Sequence, residues 1–473
     1  MTRQRLGSHL YTLLSYAYVA VLLLLAASST ACADQSSGTM GGFSFANCLP
    51  PSLALGSFEL GALTLQPTLN IQFDGFREVN AGWGGDYSPP IEESKQFYEQ
   101  SNEQGLNSTL NLHRYGTMLM RVSGIFAATG GGLNPAGTNY GEIQNDNYSL
   151  EDAYLNWTSG NLFPALGQDA VQIIGGRYTY RIGDGFLFYN GAKGGGNRTV
   201  PWTAPHHAFA QSGIFRLDSH GILIDGFYLS PNDFPQTHTR LAGINLNYRL
   251  SETFSSGFVY ANIFHSGEAT RQGLNVMYWR GEGVPIASLV DFYVSWSIAL
   301  ESDGSTNANS LGWYATPSYT FSSLRWQPTL YYRYASFSGG GTNGNRDFDP
   351  LFYGMSDWGS WYQGNILGNW VQSNSNLNSH QVRLNIVLSD KLILNLIYYH
   401  FSLYSKHETT PTIHPVTSKN LADEVDLDFD VGITDWWTTA LMVGANIPET
   451  AARQMTGGSQ TWFQAGMWSS WTF

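Results

Sequence analysis

Glu424, Asp426, Asp428 and Asp430 stand at every second position of the stretch EVDLDFDVGI (424 to 433), separated by Val425, Leu427, Phe429 and Val431. In an extended strand, side chains alternate between faces, so the four carboxylates line one side at roughly 7 Å spacing while the apolar set lines the other. Such a row could set the field of a water-filled channel, pair with arginines to hold a wall in shape, or bind a cation. Ligands about 7 Å apart on one strand are too widely spread to coordinate Ca²⁺ by themselves, so no metal and no cofactor is expected.

The second group that could do chemistry is basic. Once an amino-terminal export signal is set aside, the chain carries 16 Arg against 5 Lys. The planar guanidinium binds both oxygens of a carboxylate and is less strongly hydrated than an ammonium, which suits it to anion recognition. Arg121, Arg177, Arg181, Arg216, Arg280, Arg325, Arg333 and Arg383 fall in or beside segments read below as strands. Pairing with lumen acids such as Asp426 and Asp428 is the structural alternative for each of them.

Catalytic patterns are weaker. His113, His206, His207, His220, His265, His380 and His400 are scattered, with no Ser or Asp beside them in a recognisable arrangement, so no enzyme is expected. GAKGGGNRT is glycine-rich without the strand-loop-helix context of a phosphate loop. In the long segment 338 to 378, Phe352, Tyr353, Trp358, Trp361 and Tyr362 could stack on sugar rings or pack against one another.

The elements that must position these groups follow from composition. Residues 1 to 33 carry Arg3 and Arg5, an apolar run from Leu10 to Ala27 and the small-x-small end Ala31-Cys32-Ala33, the pattern of a cleaved secretory signal; acylation of Cys32 and an uncleaved anchor are the alternatives. Cleavage would leave 440 of 473 residues, with Cys48 as the one cysteine and hence no intramolecular disulfide. Its removal also shifts the net charge from −13 to −15. Beyond residue 33 no stretch reaches the eighteen or so consecutive apolar residues of a spanning helix. Yet 15 Trp, 27 Tyr, 26 Phe and 52 Gly accompany only 12% charged residues, about half the share usual in a soluble protein. That is the profile of a transmembrane β-barrel with aromatic girdles.

The alternation recurs with neutral polar residues in LTLQPTLNIQFD (63 to 74) and HQVRLNIVLS (380 to 389). Short connections at 389 to 391, 434 to 435, 322 to 323, 251 to 253 and 218 to 220 alternate with long ones at 338 to 378, 405 to 420 and 447 to 460. Outer-membrane barrels keep short turns on the periplasmic side and long loops outside. Reading back from Phe473, strands are predicted near 461–473, 435–446, 420–433, 391–404, 379–389, 324–337, 309–321, 287–300 and 272–281. Further back they are predicted near 254–264, 240–250, 221–230, 206–218, 170–180, 148–158, 117–128, 106–114 and 61–75. The fold class is all-β: a transmembrane antiparallel β-barrel over 58–473 of about 18 strands, with both termini periplasmic and 34–57 as a periplasmic segment. A barrel of that size leaves a lumen its own side chains cannot fill. The carboxylate row is therefore assigned to the lumen, together with the eight arginines, since a charge at the lipid-facing midplane costs about 2 to 4 kcal/mol.

Three stretches, VQIIGGRYTYRIGDGFLF (171 to 188), DFDPLFYGMSDWGSWYQGNI (347 to 366) and DEVDLDFDVGI (423 to 433), resemble the alginate export family of outer-membrane proteins. The resemblance implies an eighteen-stranded barrel carrying a polyuronate through an arginine-rich lumen, with Asp184 of the first stretch and the loop aromatics among the lumen residues. The last long loop, GANIPETAARQMTGGSQ, lacks the family's aromatic, Gly-rich motif. The expected function is export of an anionic, alginate-like polysaccharide. A substrate-selective uptake porin for small anions or sugars is the alternative, and an outer-membrane barrel enzyme a remote one. Expected partners are outer-membrane lipid and lipopolysaccharide, the barrel-assembly machinery and a periplasmic scaffold, but no nucleic acid.

Overall fold

The computed structural model describes residues 55–85, 96–132, 147–192, 200, 202–233, 236–303, 308–340, 346–354, 363–406 and 412–473. The signal expected at 1–33 and most of the 34–57 segment lie outside these residues, as do Trp358, Trp361 and Tyr362.

Among the described residues, alternating apolar and polar side chains build nineteen strands. They are β1 (Phe58–Leu60), β2 (Leu63–Val79), β3 (Gln96–Asn111), β4 (Thr117–Gly131), β5 (Asn147–Thr158), β6 (Val171–Tyr178), β7 (Phe209–Ser219), β8 (Ile222–Ser230), β9 (Arg240–Arg249) and β10 (Phe254–His265). The remainder are β11 (Asn275–Gly283), β12 (Phe292–Asp303), β13 (Ala308–Thr320), β14 (Thr329–Phe337), β15 (Leu377–Ser389), β16 (Leu392–Leu403), β17 (Asn420–Thr434), β18 (Trp437–Pro448) and β19 (Trp462–Thr472). β1 pairs only with the start of β2. The other eighteen pair antiparallel with their sequence neighbours, and β19 closes on β2 through registers such as Met467↔Gly75 and Trp471↔Ile71. Closure leaves the barrel without an open edge, so every strand satisfies its backbone inside the wall.

Each strand predicted from the sequence is present. The main departures are β3, which begins at Gln96 instead of 106, β12, which begins at Phe292 instead of 287, and β14, which begins at Thr329 instead of 324. Short connections gather on one side; between β7 and β8 it is the pair His220-Gly221, both at positive φ (53° and 81°), the geometry of a tight hairpin turn. The start of β2 and Phe473 lie on that same side, joined by backbone bonds between Leu69 and Phe473. The outward face is apolar along Val425, Leu441, Val443 and Met467, with exposed Tyr148, Phe264, Tyr404 and Phe463 toward the long-loop end and Tyr115, Tyr248, Tyr319 and Phe321 toward the short-turn end. A closed eighteen-stranded barrel with such a belt is built for the bacterial outer membrane.

The lumen is not empty. The described parts of the segment between β6 and β7 (179–192 and 202–208) turn inward and meet part of the segment between β14 and β15, where Phe188 and Phe352 form a parallel bridge. Phe186 lies against Tyr278, Tyr314, Phe337 and Phe348 with ring centroids 5.6 to 6.2 Å apart. Phe352, for which sugar stacking and packing were both open, takes the packing role: it is fully buried against Phe188 and Phe209 and belongs to this inner core. The Arg271 guanidinium donates to both oxygens of Asp349 (2.5 and 2.6 Å) and locks the second segment in place.

Candidate functional site

Glu424, Asp426, Asp428 and Asp430 point into the barrel as the alternation requires, but they do not face open water: their exposures are 0%, 1%, 0% and 9%. A short π-helix, Gly364–Val371, sits across the row. The first turn of any helix leaves backbone N–H groups without intrahelical acceptors and carries a partial positive charge. The row supplies the acceptors. Ile366 and Leu367 N–H donate to the two oxygens of Glu424 (2.7 and 2.9 Å), Asn365 N–H donates to Asp426 (3.1 Å), and the Asn365 amide donates to Asp428 (2.9 Å). Asn446 on β18 adds a donor to Glu424 (2.7 Å), and Asn395 on β16 donates to Asp430 (3.2 Å). Gly364 has φ +89°, and a Cβ there would lie 2.5 Å from a Glu424 oxygen, so only glycine lets the helix start this close to the wall.

Nearby strands continue this acidic wall. Glu99 on β3 accepts the N–H groups of Trp202 and Thr203 (3.0 Å), from the end of the first inward segment. Glu78 accepts the Trp462 indole N–H (2.7 Å). Glu424, Asp426, Asp428, Glu99 and Glu78 each accept at least one protein donor, whereas Asp74 on β2 is buried with neither oxygen hydrogen-bonded among the described residues.

The arginines are sorted differently. Arg216 holds Asp225 through two bonds (2.7 and 2.9 Å), with Tyr180 and Asn245 completing the carboxylate's shell. Arg121 is shared among Asp152 (2.6 Å), Glu103 (2.7 Å) and Asn107 (3.1 Å). Arg333 is buried, donating to Thr316 (2.9 Å) beneath the Tyr314 ring. Arg383 lies half-buried over the Tyr331 ring at 4.0 Å.

Arg280 differs from these. It donates to the neutral Asn245 (2.8 Å) and stacks on Tyr278, while its Nη1 is buried without a hydrogen-bond partner among the described residues. It lines a pocket with about 250 Å³ of empty space, open solvent included, together with Asp184, Glu282, Ser256, Trp296 and Tyr314. Asp184 enters from the first inward segment, accepting from Phe186 N–H (3.1 Å) and the Tyr314 hydroxyl. Burial pushes its carboxyl above the ordinary carboxylate range.

Three arginines are not where the sequence analysis places them. Arg325 lies in the exposed turn between β13 and β14, over its neighbour Trp326, because that turn is longer than the sequence suggested. Arg177 has the parity of exposed Ile173; beside the irregular pairing at Gly176 it donates to the Leu150 and Glu151 carbonyls (2.9 and 3.1 Å) and ties β6 to β5. Arg181 is beyond the end of β6, on the inward segment, where it donates to the carbonyls of Gly183 and Asp184 (3.1 and 3.2 Å). Sequence reasoning also missed Glu282, although it shares a strand face with Arg280, and Arg271, whose partner is 78 positions away.

No family model matches the chain, and no curated protein does. The resemblance to alginate exporters carried by the three stretches therefore finds no support. Solved structures do match. OpdL of Pseudomonas aeruginosa aligns with a TM-score of 0.56 at 10% identity, covering 86% of this chain and 98% of that one. The outer membrane protein opdK of the same organism gives 0.55 at 12% identity, with the same coverages of 86% and 98%. OccAB4 of Acinetobacter baumannii gives 0.55 at 9%, again covering 86% and 98%. At these identities the likeness is one of fold, and it spans nearly the whole of each relative.

Proposed function

We propose that the protein is a substrate-selective uptake porin for small organic anions, oriented with its termini and short turns in the periplasm. The carrying observation is Arg280: a guanidinium in a lumen pocket with one N–H-bearing nitrogen unmatched among the described residues. A buried donor of this kind favours an acceptor, and a charged fork favours a carboxylate or similar oxyanion. Asp184 and Glu282 on the same pocket supply acceptors for donor groups elsewhere on the solute. Those acids, and inward segments packed into a common aromatic core, argue against a long polyuronate as cargo. The porin-like fold of the structural relatives also fits uptake better than polymer export. In this reading flow is passive, and lipopolysaccharide and the barrel-assembly machinery are the protein's outer-membrane partners.

The reversal potential of the refolded barrel in a planar bilayer under a KCl gradient tests this. Anion selectivity that falls on Arg280→Ala is the expected result, with added polyuronate leaving the current unblocked. Cation selectivity in the unmodified protein would overturn the reading, and polyuronate block would return polymer export to consideration.

A further inference from the structure

The inward segment is moored at its far end by Glu151 on β5. One carboxylate oxygen, Oε1, accepts the backbone N–H groups of His207 and Ala208, each at 2.7 Å. The other, Oε2, lies 2.6 Å from Nδ1 of His206, whose Nε2 is 3.0 Å from the hydroxyl of Ser149. With the Nδ1 proton directed at the carboxylate, the imidazole presents its lone pair at Nε2 to the serine O–H. Nucleophile, base and orienting acid are thus in line at hydrogen-bond distances.

Local structure builds this arrangement from both sides. Ser149 and Glu151 are two apart on one strand and share its lumen face, whereas Tyr148 and Leu150 between and beside them are exposed outward. A register shift sets Glu151 and Asp152 opposite the single residue Ser123, and both acids turn inward, Asp152 to Arg121 and Glu151 to His206. Arg177 holds the carbonyls of Leu150 and Glu151 and so stiffens the backbone linking the serine to the acid. His206 is 1% exposed, while Ser149 is only half-buried, on the long-loop end of the lumen. Its cross-strand neighbour Ile125 forms a small apolar cluster with Ala127 and Val200, separate from the main core. Mooring the segment requires only Glu151 and the two backbone N–H groups. It does not require a hydroxyl beyond the imidazole.

We propose that Ser149, His206 and Glu151 form a nucleophilic relay that hydrolyses small carboxylic esters entering the long-loop end of the lumen. Ser149 Oγ attacks the ester carbonyl carbon as its proton passes to His206 Nε2. The carbon–oxygen bond to the alcohol breaks, the alcohol leaves with that proton, and an acyl-serine remains. Water then attacks the acyl carbon, gives a proton to His206, and the carboxylic acid departs as Ser149 recovers its hydrogen. Ester and water become acid and alcohol, with no oxidant or reductant. Glu151 is a positioning residue: it fixes the tautomer and ring orientation of His206.

The test is reaction of the full-length folded barrel in detergent with a fluorophosphonate probe, the label mapped by peptide mass spectrometry, alongside hydrolysis of p-nitrophenyl butyrate. Heat-modifiable gel mobility reports folding. The expected result is a label on Ser149, absent in Ser149→Ala together with ester turnover, and labelling slowed by about 10²-fold or more in His206→Gln. Glu151→Gln is expected to keep the fold and displace the pH profile of labelling, which a purely structural anchor would not do. A folded wild-type protein left unlabelled overturns the proposal, as does a His206→Gln barrel labelled at the wild-type rate. Should His206→Gln not fold, the wild type and Ser149→Ala decide the question, since a label elsewhere than Ser149 also overturns it.

Discussion

The β17 wall and the β11 wall of the lumen carry charge at the same every-second-residue spacing, and they do opposite things with it. On β17, Glu424, Asp426 and Asp428 are covered by the helix whose N–H groups they accept. On β11, Arg280 and Glu282 border a pocket that an inward segment leaves open. The difference lies in what packs on each strand: the acids lie beneath a helix N-terminus whose N–H groups they accept, with Asp426 Oδ1 and Asp428 Oδ2 left unmatched among the described residues, whereas Arg280 has the neutral Asn245 as its side-chain partner and borders a pocket, which is why solute binding is proposed there. Charge sign along a lumen strand is therefore a poor guide to pore selectivity until the covering segments are known.

The largest effect expected from breaking this contrast is at Glu424. Glu424→Ala removes the acceptor of two helix N–H groups and of the Asn446 amide. At about 1 to 3 kcal/mol for each of the three buried donors left unmet, the loss is about 3 to 9 kcal/mol, read as a lower urea midpoint and faster proteolysis near residue 364. Unchanged stability with altered ion selectivity would mean the acid row faces the pore after all. Next comes Asp225→Ala, which strands Arg216 and the Tyr180 hydroxyl and is expected to cost about 3 to 5 kcal/mol, measured by the same unfolding curve. An Arg216 that served solute instead of structure would show little loss of stability there.

Arg280→Ala should sharpen the contrast from the other wall: anion selectivity falls while stability moves by about 1 kcal/mol, because the residue makes a single neutral hydrogen bond. A large stability loss without a change in reversal potential would put Arg280 among the structural pairs. The smallest effect belongs to Arg325→Ala, in an exposed turn outside the lumen, with stability within about 0.5 kcal/mol and selectivity unchanged.

Parity errors trace to local geometry that a period of two does not contain. Arg177 is the exception: its pairing with β5 is regular and its parity is that of exposed Ile173, so the lumen assignment, made from its company with Thr179 and the cost of a lipid-facing charge, ran against the alternation itself. Arg325 was misassigned because Ser322-Ser323 is part of a longer turn and not a two-residue hairpin. His206 looked isolated because Ser149 is 57 positions away and joins it only through the inward segment.

By itself the sequence determined the barrel: strand number, the order of short and long connections, and the lumen placement of Glu424, Asp426, Asp428 and Asp430. Alternation of side-chain faces is a property of the extended backbone, and turn length is a property of contiguous residues, so both are readable locally. Tertiary structure alone decided which lumen charges are covered by other segments and which border a pocket. The helix that covers Glu424 lies 57 to 58 positions upstream of it, and the segment that carries Asp184 to Arg280 comes from the far side of four strands. Whether a charge is saturated depends on donors and acceptors brought within about 3 Å by folding, and that proximity is written in no single stretch of the chain.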